Sequence, residues 1–119
     1  MKTRLVILSG LAALGLGGEA IAHHSAAMFD MTKELTIQGT IKKWNFTAPH
    51  SWLTITTLTS DGHTQDWSFE GGGPSGALRQ DTFRVGDKVS VKTHPMRDGR
   101  PAGTLGPVTF ADGHQFTGR

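Results

Sequence analysis

The sequence predicts an all-β chain, a small five-stranded OB-like Greek-key barrel with one short helix between strands 3 and 4. Three observations predict it. Apolar and β-branched residues recur in several short stretches with strand-like alternation. Turn signals such as Ser60-Asp61-Gly62, Val85-Gly86-Asp87 and Asp112-Gly113 punctuate them. The order of elements is strand, strand, strand, helix, strand, strand, which is the order of an OB-fold. A barrel also suits a chain without cysteine, because closure protects sheet edges where no disulfide is available. A β-sandwich built from the same strands is the runner-up.

The first strand begins at Glu34. Leu35, Ile37, Gly39 and Ile41 alternate and share one face. Trp44 and Phe46 are out of that phase, so an extra residue near Lys42-Lys43 predicts a bulge. Gly39 allows further bending, and a long bent strand pairs at both ends. Trp52 to Thr59 is the second strand, rich in β-branched residues. His63 to Glu70 is the third, with Trp67 and Phe69 on one face. Gly71-Gly72-Gly73-Pro74 breaks the sheet, and Ser75 to Asp81 reads as one or two helical turns with Ser75 as N-cap. Lys88 to Thr93 is the fourth strand, with Val89 and Val91 inward. Thr104 to Ala111 is the fifth, interrupted by Pro107, and His114 to Phe116 folds back as a short arm.

The first 22 residues have the three parts of a secretory signal. Lys2 and Arg4 carry charge, Leu5 to Leu16 form an apolar run, and Ala20 and Ala22 are the small residues before a cleavage point. The run is shorter than the roughly 20 residues that span a bilayer. The expected organisation is therefore a cleaved Sec signal over 1–22, an N-terminal arm over 23–33 and the barrel domain over 34–119. The expected location is the periplasm, with no stable membrane anchor after cleavage. Cleavage would leave 97 residues, enough for one modest core. Two of the twelve Lys and Arg and one of the ten Asp and Glu lie in the leader, so the mature chain carries a formal charge of +1. No strongly basic face follows from that, and nucleic acid is not an expected partner.

Cleavage after Ala22 makes His23 the first residue, with an α-amine and an imidazole at one point. Together they can chelate Cu(II), and a further nitrogen would complete a histidine brace. His50 lies in the loop between the first two strands, beside Pro49, and His94 opens the loop after the fourth strand. In an OB-fold these two loops flank the usual ligand face. The candidate metal ligands are thus His23, His50 and His94, with His24 and Met96 in reserve. The competing readings are a solvated arm, a turn-capping His50 and an outward His94. His63 and His114 follow tight turns and read as exposed hairpin residues. Met28, Met31 and Met96 could ligate Cu(I), but such residues more often fill gaps. Glu70 with the glycines and the helix start could cradle an anion, or the glycines could only let the chain leave the sheet. Arg97 and Arg100 with Asp98 read as a solvated loop or an acidic-ligand site. No P-loop, nucleophile elbow or His-Glu-x-x-His motif occurs, so no catalytic residues are assigned.

Several segments recur together: Ala22-His23-His24-Ser25 with Met28-Phe29-Asp30, Gly39-Thr40 with Trp44, Pro49-His50-Ser51-Trp52, Trp67-Ser68-Phe69-Glu70-Gly71-Gly72, Gly86-Asp87-Lys88-Val89 and His94-Pro95-Met96-Arg97-Asp98-Gly99. This set resembles the DUF6152 family of small exported bacterial proteins. The resemblance implies an exported barrel-like domain and no particular activity. After His-His-Ser, where such sequences usually carry a bulkier residue, this chain has Ala26-Ala27, expected to loosen the arm's packing.

The expected function is binding rather than catalysis, with copper as the favoured cofactor. The alternative is a non-metal binding module, in which Trp44, Phe46, Trp52 and the Arg97–Arg100 loop form a face for a small ligand or a partner protein.

Overall fold

The alternating residues Leu35, Ile37, Gly39 and Ile41 lie on β1 (Leu35–Asn45) in the computed structural model, which describes residues 27–118. The expected leader, together with His23 and His24, lies outside the described residues. β1 does what a long bent strand should. Its first half, Leu35 to Thr40, pairs antiparallel with β4 (Lys88–Thr93). Its second half, Thr40 to Asn45, pairs antiparallel with β2 (Ser51–Leu58). The register shifts between Ile41 and Lys43, which is the expected bulge. There the Ile41 N–H donates to Asp87 O at 2.9 Å and the Gly86 N–H donates back to Ile41 O at 2.9 Å. The bend thus spends its unpaired groups on the turn before β4. A Cβ on Gly39 would stand 2.5 Å from Thr56 O, so only glycine lets β1 fold this closely over β2.

β3 (Thr64–Gly71) pairs antiparallel with β2, setting Leu53 opposite Phe69 and Ile55 opposite Trp67. Burial follows the period-two pattern: Leu53, Ile55, Phe69, Val89 and Val91 are buried and join Ile41, Leu78, Phe83 and Val108 in one core. Each fully buried apolar side chain there stabilises the fold by about 1.5–3 kcal/mol.

The expectation of an all-β chain holds; the expected strand count does not. Among the described residues the sheet has seven strands in the order β5-β3-β2-β1-β4-β6-β7. The expected fifth strand is divided at Leu105-Gly106-Pro107 into β5 (Ala102–Thr104) and β6 (Val108–Phe110). β5 runs parallel to β3, whereas β6 runs antiparallel to β4. Pro107 has no N–H to give a ladder, and the chain changes neighbours there. The short arm after Asp112-Gly113 is β7 (Gln115–Phe116), paired with β6.

The sheet curls far enough that β5 also meets the segment leaving β4. The Thr104 N–H donates to His94 O at 3.0 Å, Met96 N–H to Ala102 O at 3.0 Å, and Gly106 N–H to Lys92 O at 2.9 Å. At this contact a Cβ on Gly103 would lie 2.0 Å from Thr93 Oγ1 and 2.6 Å from His94 O.

The expected helix over Ser75 to Asp81 is corrected: that segment is turns and bends. Seven residues make a marginal helix without tertiary support, and here burial favours another path. Leu78 and Phe83 are both driven into the core. The Arg79 guanidinium donates to Gly76 O at 2.6 Å and Leu78 O at 2.7 Å, and the Arg79 N–H donates to Thr82 Oγ1 at 2.8 Å. The anion cradle at a helix start therefore has no helix to stand on.

Gly103→Ala is expected to destabilise the protein by about 3 kcal/mol, as overpacking against backbone does. Gly72→Ala, where an added carbon meets nothing within 4 Å, should shift stability by less than about 0.5 kcal/mol. Urea unfolding midpoints of the two variants decide it; equal midpoints would show that the β4–β5 contact tolerates a side chain.

Candidate functional site

A cleft of about 590 Å³ opens where the β1–β2 loop, the end of β3 and the segment after β4 come together. His50 and His94 both line it, with Glu34, Glu70 and Lys92 as further charged groups. Its apolar wall includes Phe29, Leu78 and Leu105.

His50 is placed by a loop that hydrogen-bonds to itself. The Thr47 N–H donates to Ser51 Oγ at 3.2 Å, and Thr47 Oγ1 donates to His50 O at 2.8 Å. Ser51 is fully buried, which anchors the loop to the start of β2. The Ala48–Pro49 bond in this loop is cis. Beneath it runs the glycine stretch. The Ser51 N–H donates to Gly72 O at 3.2 Å, and a Cβ on Gly73 would lie 2.8 Å from Pro49 O. So the glycines let the chain leaving β3 pass directly against the loop that carries His50. Glu70, just before them and opposite Trp52 in the β2–β3 register, brings its Oε1 to 3.3 Å from His50 Nδ1.

His94 is held on three sides. Its N–H donates to Thr104 Oγ1 at 2.9 Å. Its carbonyl accepts from Thr104, as described for the sheet contact. Its Nδ1 lies 2.6 Å from Lys33 O. Lys92 Nζ stands 3.4 Å from Glu34 Oε1 at the cleft's edge.

The described part of the arm docks beside His94 rather than trailing. Phe29 forms an antiparallel bridge with Met96 and is only 6% exposed. The Asp30 N–H donates to Pro95 O at 2.8 Å, the Arg97 N–H to Met28 O at 2.9 Å, and Arg97 Nε to Ala27 O at 3.1 Å. Despite the alanine pair, the chain from Ala27 onward is therefore tied down. Asp30 then closes a tight turn, accepting from Thr32 Oγ1 at 2.6 Å and Thr32 N–H at 3.1 Å. Those bonds, the side-chain one first, hold the Asp30 carboxyl below the ordinary aspartate value of 3.8.

The remaining candidates lie elsewhere. Met96 is not among the residues lining the cleft; Met31 is. His63 Nδ1 sits 3.2 Å from Asp61 in its exposed hairpin. His114 pairs with Asp112 and stacks on Phe110 with ring centroids 4.2 Å apart. Trp44 is half-buried, its ring edge-on to Phe83 at 4.8 Å and its Nε1 donating to Arg79 O at 3.0 Å. Phe46 packs against the same core, while Trp52 is 37% exposed. Arg100 Nε pairs with Asp98 at 2.7 Å. A second, more open groove of about 770 Å³ over β1, β2, β4 and β6 contains Trp67 and no histidine. Among the described residues no three His, Asp or Glu come together in a group that could hold a metal ion. No described helix is long and apolar enough to cross a membrane.

Glu70 as the neighbour of His50, and the Lys33 carbonyl as the neighbour of His94, were not foreseen from the sequence. A signal for the first existed: once β2 and β3 pair through their hairpin, Glu70 falls beside the His50 loop. No side-chain pattern could mark a backbone carbonyl.

Fold and cleft define a small all-β protein with a strongly curled sheet and a cleft lined by two histidines. The family model described as "Family of unknown function (DUF6152)" matches residues 12–106, and the chain belongs to that family. No curated protein and no solved structure matches it.

Because the folded Asp30 pKa lies below 3.8, its contribution to the turn that ends the arm is present above 3.8 and is lost as pH falls through the lower folded value. Thr32→Ala should return the Asp30 pKa toward 3.8. A carboxyl titration followed by NMR checks this, with the Phe29 amide reporting the arm; an unchanged Asp30 pKa in the variant would remove the Thr32 hydroxyl as the leading cause.

Proposed function

We propose that this is an exported, periplasmic protein that binds copper through a histidine at its mature N-terminus and the loop histidines His50 and His94. Binding, not turnover, is the role in this reading. The observation that carries it is the common cleft. Two imidazoles far apart in sequence, His50 and His94, line one cavity. Imidazole and amine nitrogens suit copper, which heads the divalent affinity series.

Two imidazoles alone do not make a strong site. In this reading the other donors are the α-amine and ring of His23, with His24 in reserve; Met96, a reserve ligand expected from the sequence, does not line the cleft. The arm supports that assignment, since its Phe29 and Met31 line the same cleft. His23 precedes Ala27 by four positions, a reach of about 13 Å in extended chain. Export is supported by the charged, apolar and small-residue segments of the first 22 residues.

The curled sheet is read as an OB-type barrel. Its parallel β3–β5 contact, and the antiparallel contact of β5 with the segment after β4, support that reading. The His50 and His94 loops then flank the ligand face customary for that fold.

Native mass spectrometry of protein exported with its own leader, with and without one equivalent of Cu(II), tests the proposal. The expected result is a mass beginning at His23 that gains one copper and retains it against glycine. His50→Ala and His94→Ala should each weaken retention. A mass beginning elsewhere, or no retained copper in the parent, would sink the N-terminal chelate.

A further inference from the structure

The open groove owes its shape to a fork in the sheet. β1 pairs with β2 only from Thr40 onward, whereas its earlier residues, Leu35 to Gly39, pair with β4. β2 runs on past Thr56, and there Thr57 and Leu58 pair with β3 alone. Residues from both arms of the fork line the groove, Gln38 and Ser90 from one and Thr57 and Trp67 from the other. Its volume of about 770 Å³ lies within the roughly 300–1,000 Å³ of small-molecule sites. It shares no lining residue with the histidine cleft.

Its chemistry differs from that of the cleft. Among the described residues that line it, Lys88 alone is charged, and none carries a carboxylate or an imidazole. The other polar side chains are the amide of Gln38 and the hydroxyls of threonines and Ser90. Amides and hydroxyls both donate and accept, as the hydroxyls of a sugar do. Trp67 adds an aromatic ring. It is half-buried and stacked with the buried Phe69, ring centroids 6.1 Å apart and 17° between planes, so the core holds it in place. Trp44 gives its Nε1–H to Arg79 O, whereas Trp67 Nε1 is not buried and has no acceptor among the described residues. An indole joins an apolar body to one donor. The C–H face of a pyranose can pack on the first while a sugar oxygen accepts from the second. We infer that this groove is a second binding site, for an uncharged oligosaccharide, with Trp67 as stacking platform and Gln38 as a hydrogen-bonding partner. An enclosed pocket would suit a single sugar ring; an open groove suits a chain of them. This inference does not rest on the copper reading.

The test uses the exported, processed, metal-free protein. Maltotetraose, cellotetraose and triacetylchitotriose are each titrated to millimolar concentration, and the three indole N–H signals are followed by ¹H–¹⁵N NMR. The expected result is that at least one of them shifts the Trp67 indole N–H saturably and leaves that of Trp44 in place. Trp67→Ala should abolish binding of that oligosaccharide. Gln38→Ala, at an exposed position of β1, should weaken it by about 3- to 10-fold, the loss of one hydrogen bond. If Trp67→Ala does not fold, the parent titration and the Gln38 variant decide. Three oligosaccharides that all leave the Trp67 signal unmoved overturn the inference. So does a response confined to Trp52, or a Gln38→Ala protein that binds like the parent. Because no copper is present, none of these outcomes bears on the proposed function.

Discussion

The meeting of β5 with the end of β4 is the contact on which the rest of this structure depends. A sheet of short strands has to hide its edges or leave them unpaired. Here β1 bends through its bulge, β2 and β3 follow the bend, and β5 is carried across to the segment leaving β4. The crossing is closed by backbone bonds from Thr104 to His94 and from Gly106 to Lys92. It is so tight that Gly103 has no room for a side chain. A chain without cysteine holds the crossing through close backbone approach rather than through a disulfide.

The cleft is a by-product of that closure. His94 belongs to the crossing itself: its N–H and its carbonyl are both engaged by Thr104. His50 depends on the other wall, where the glycine run after β3 passes under its loop. The backbones of both histidines are therefore fixed by main-chain geometry, and such preorganisation would lower the ordering cost of the proposed binding. The cleft joins imidazole, carboxylate and ammonium groups to an apolar wall, whereas the more open groove carries Lys88 and mostly neutral groups.

Much of the sheet was legible because it obeys the period-two rule. Leu53, Ile55, Val89 and Val91 alternate inward as their spacing requires, and the phase slip at Lys42-Lys43 marked the bulge. The segment after the glycines was misread because capping signals at Ser75 are local, whereas Leu78 and Phe83 answer to the core. The last strand was misread because a single apolar stretch, Thr104 to Ala111, serves two neighbours. Alternation cannot reveal a change of partner. At the cleft, His50 and His94 could be named from loop position within an assumed fold. Glu70 could be placed beside His50 only by working out the β2–β3 hairpin register, and Lys33 meets His94 only through its backbone, which no side-chain pattern marks.

The docked arm has a consequence for how this protein behaves among its own copies. Without the arm, main-chain groups of residues 95–97 would form a strand margin of the kind that recruits other chains. Residues 28–30 already occupy it, with Phe29 sealed against it and two backbone bonds in place. Pro95 adds a position with no N–H to offer. The first described residues of the chain thus act as a guard against edge-to-edge aggregation.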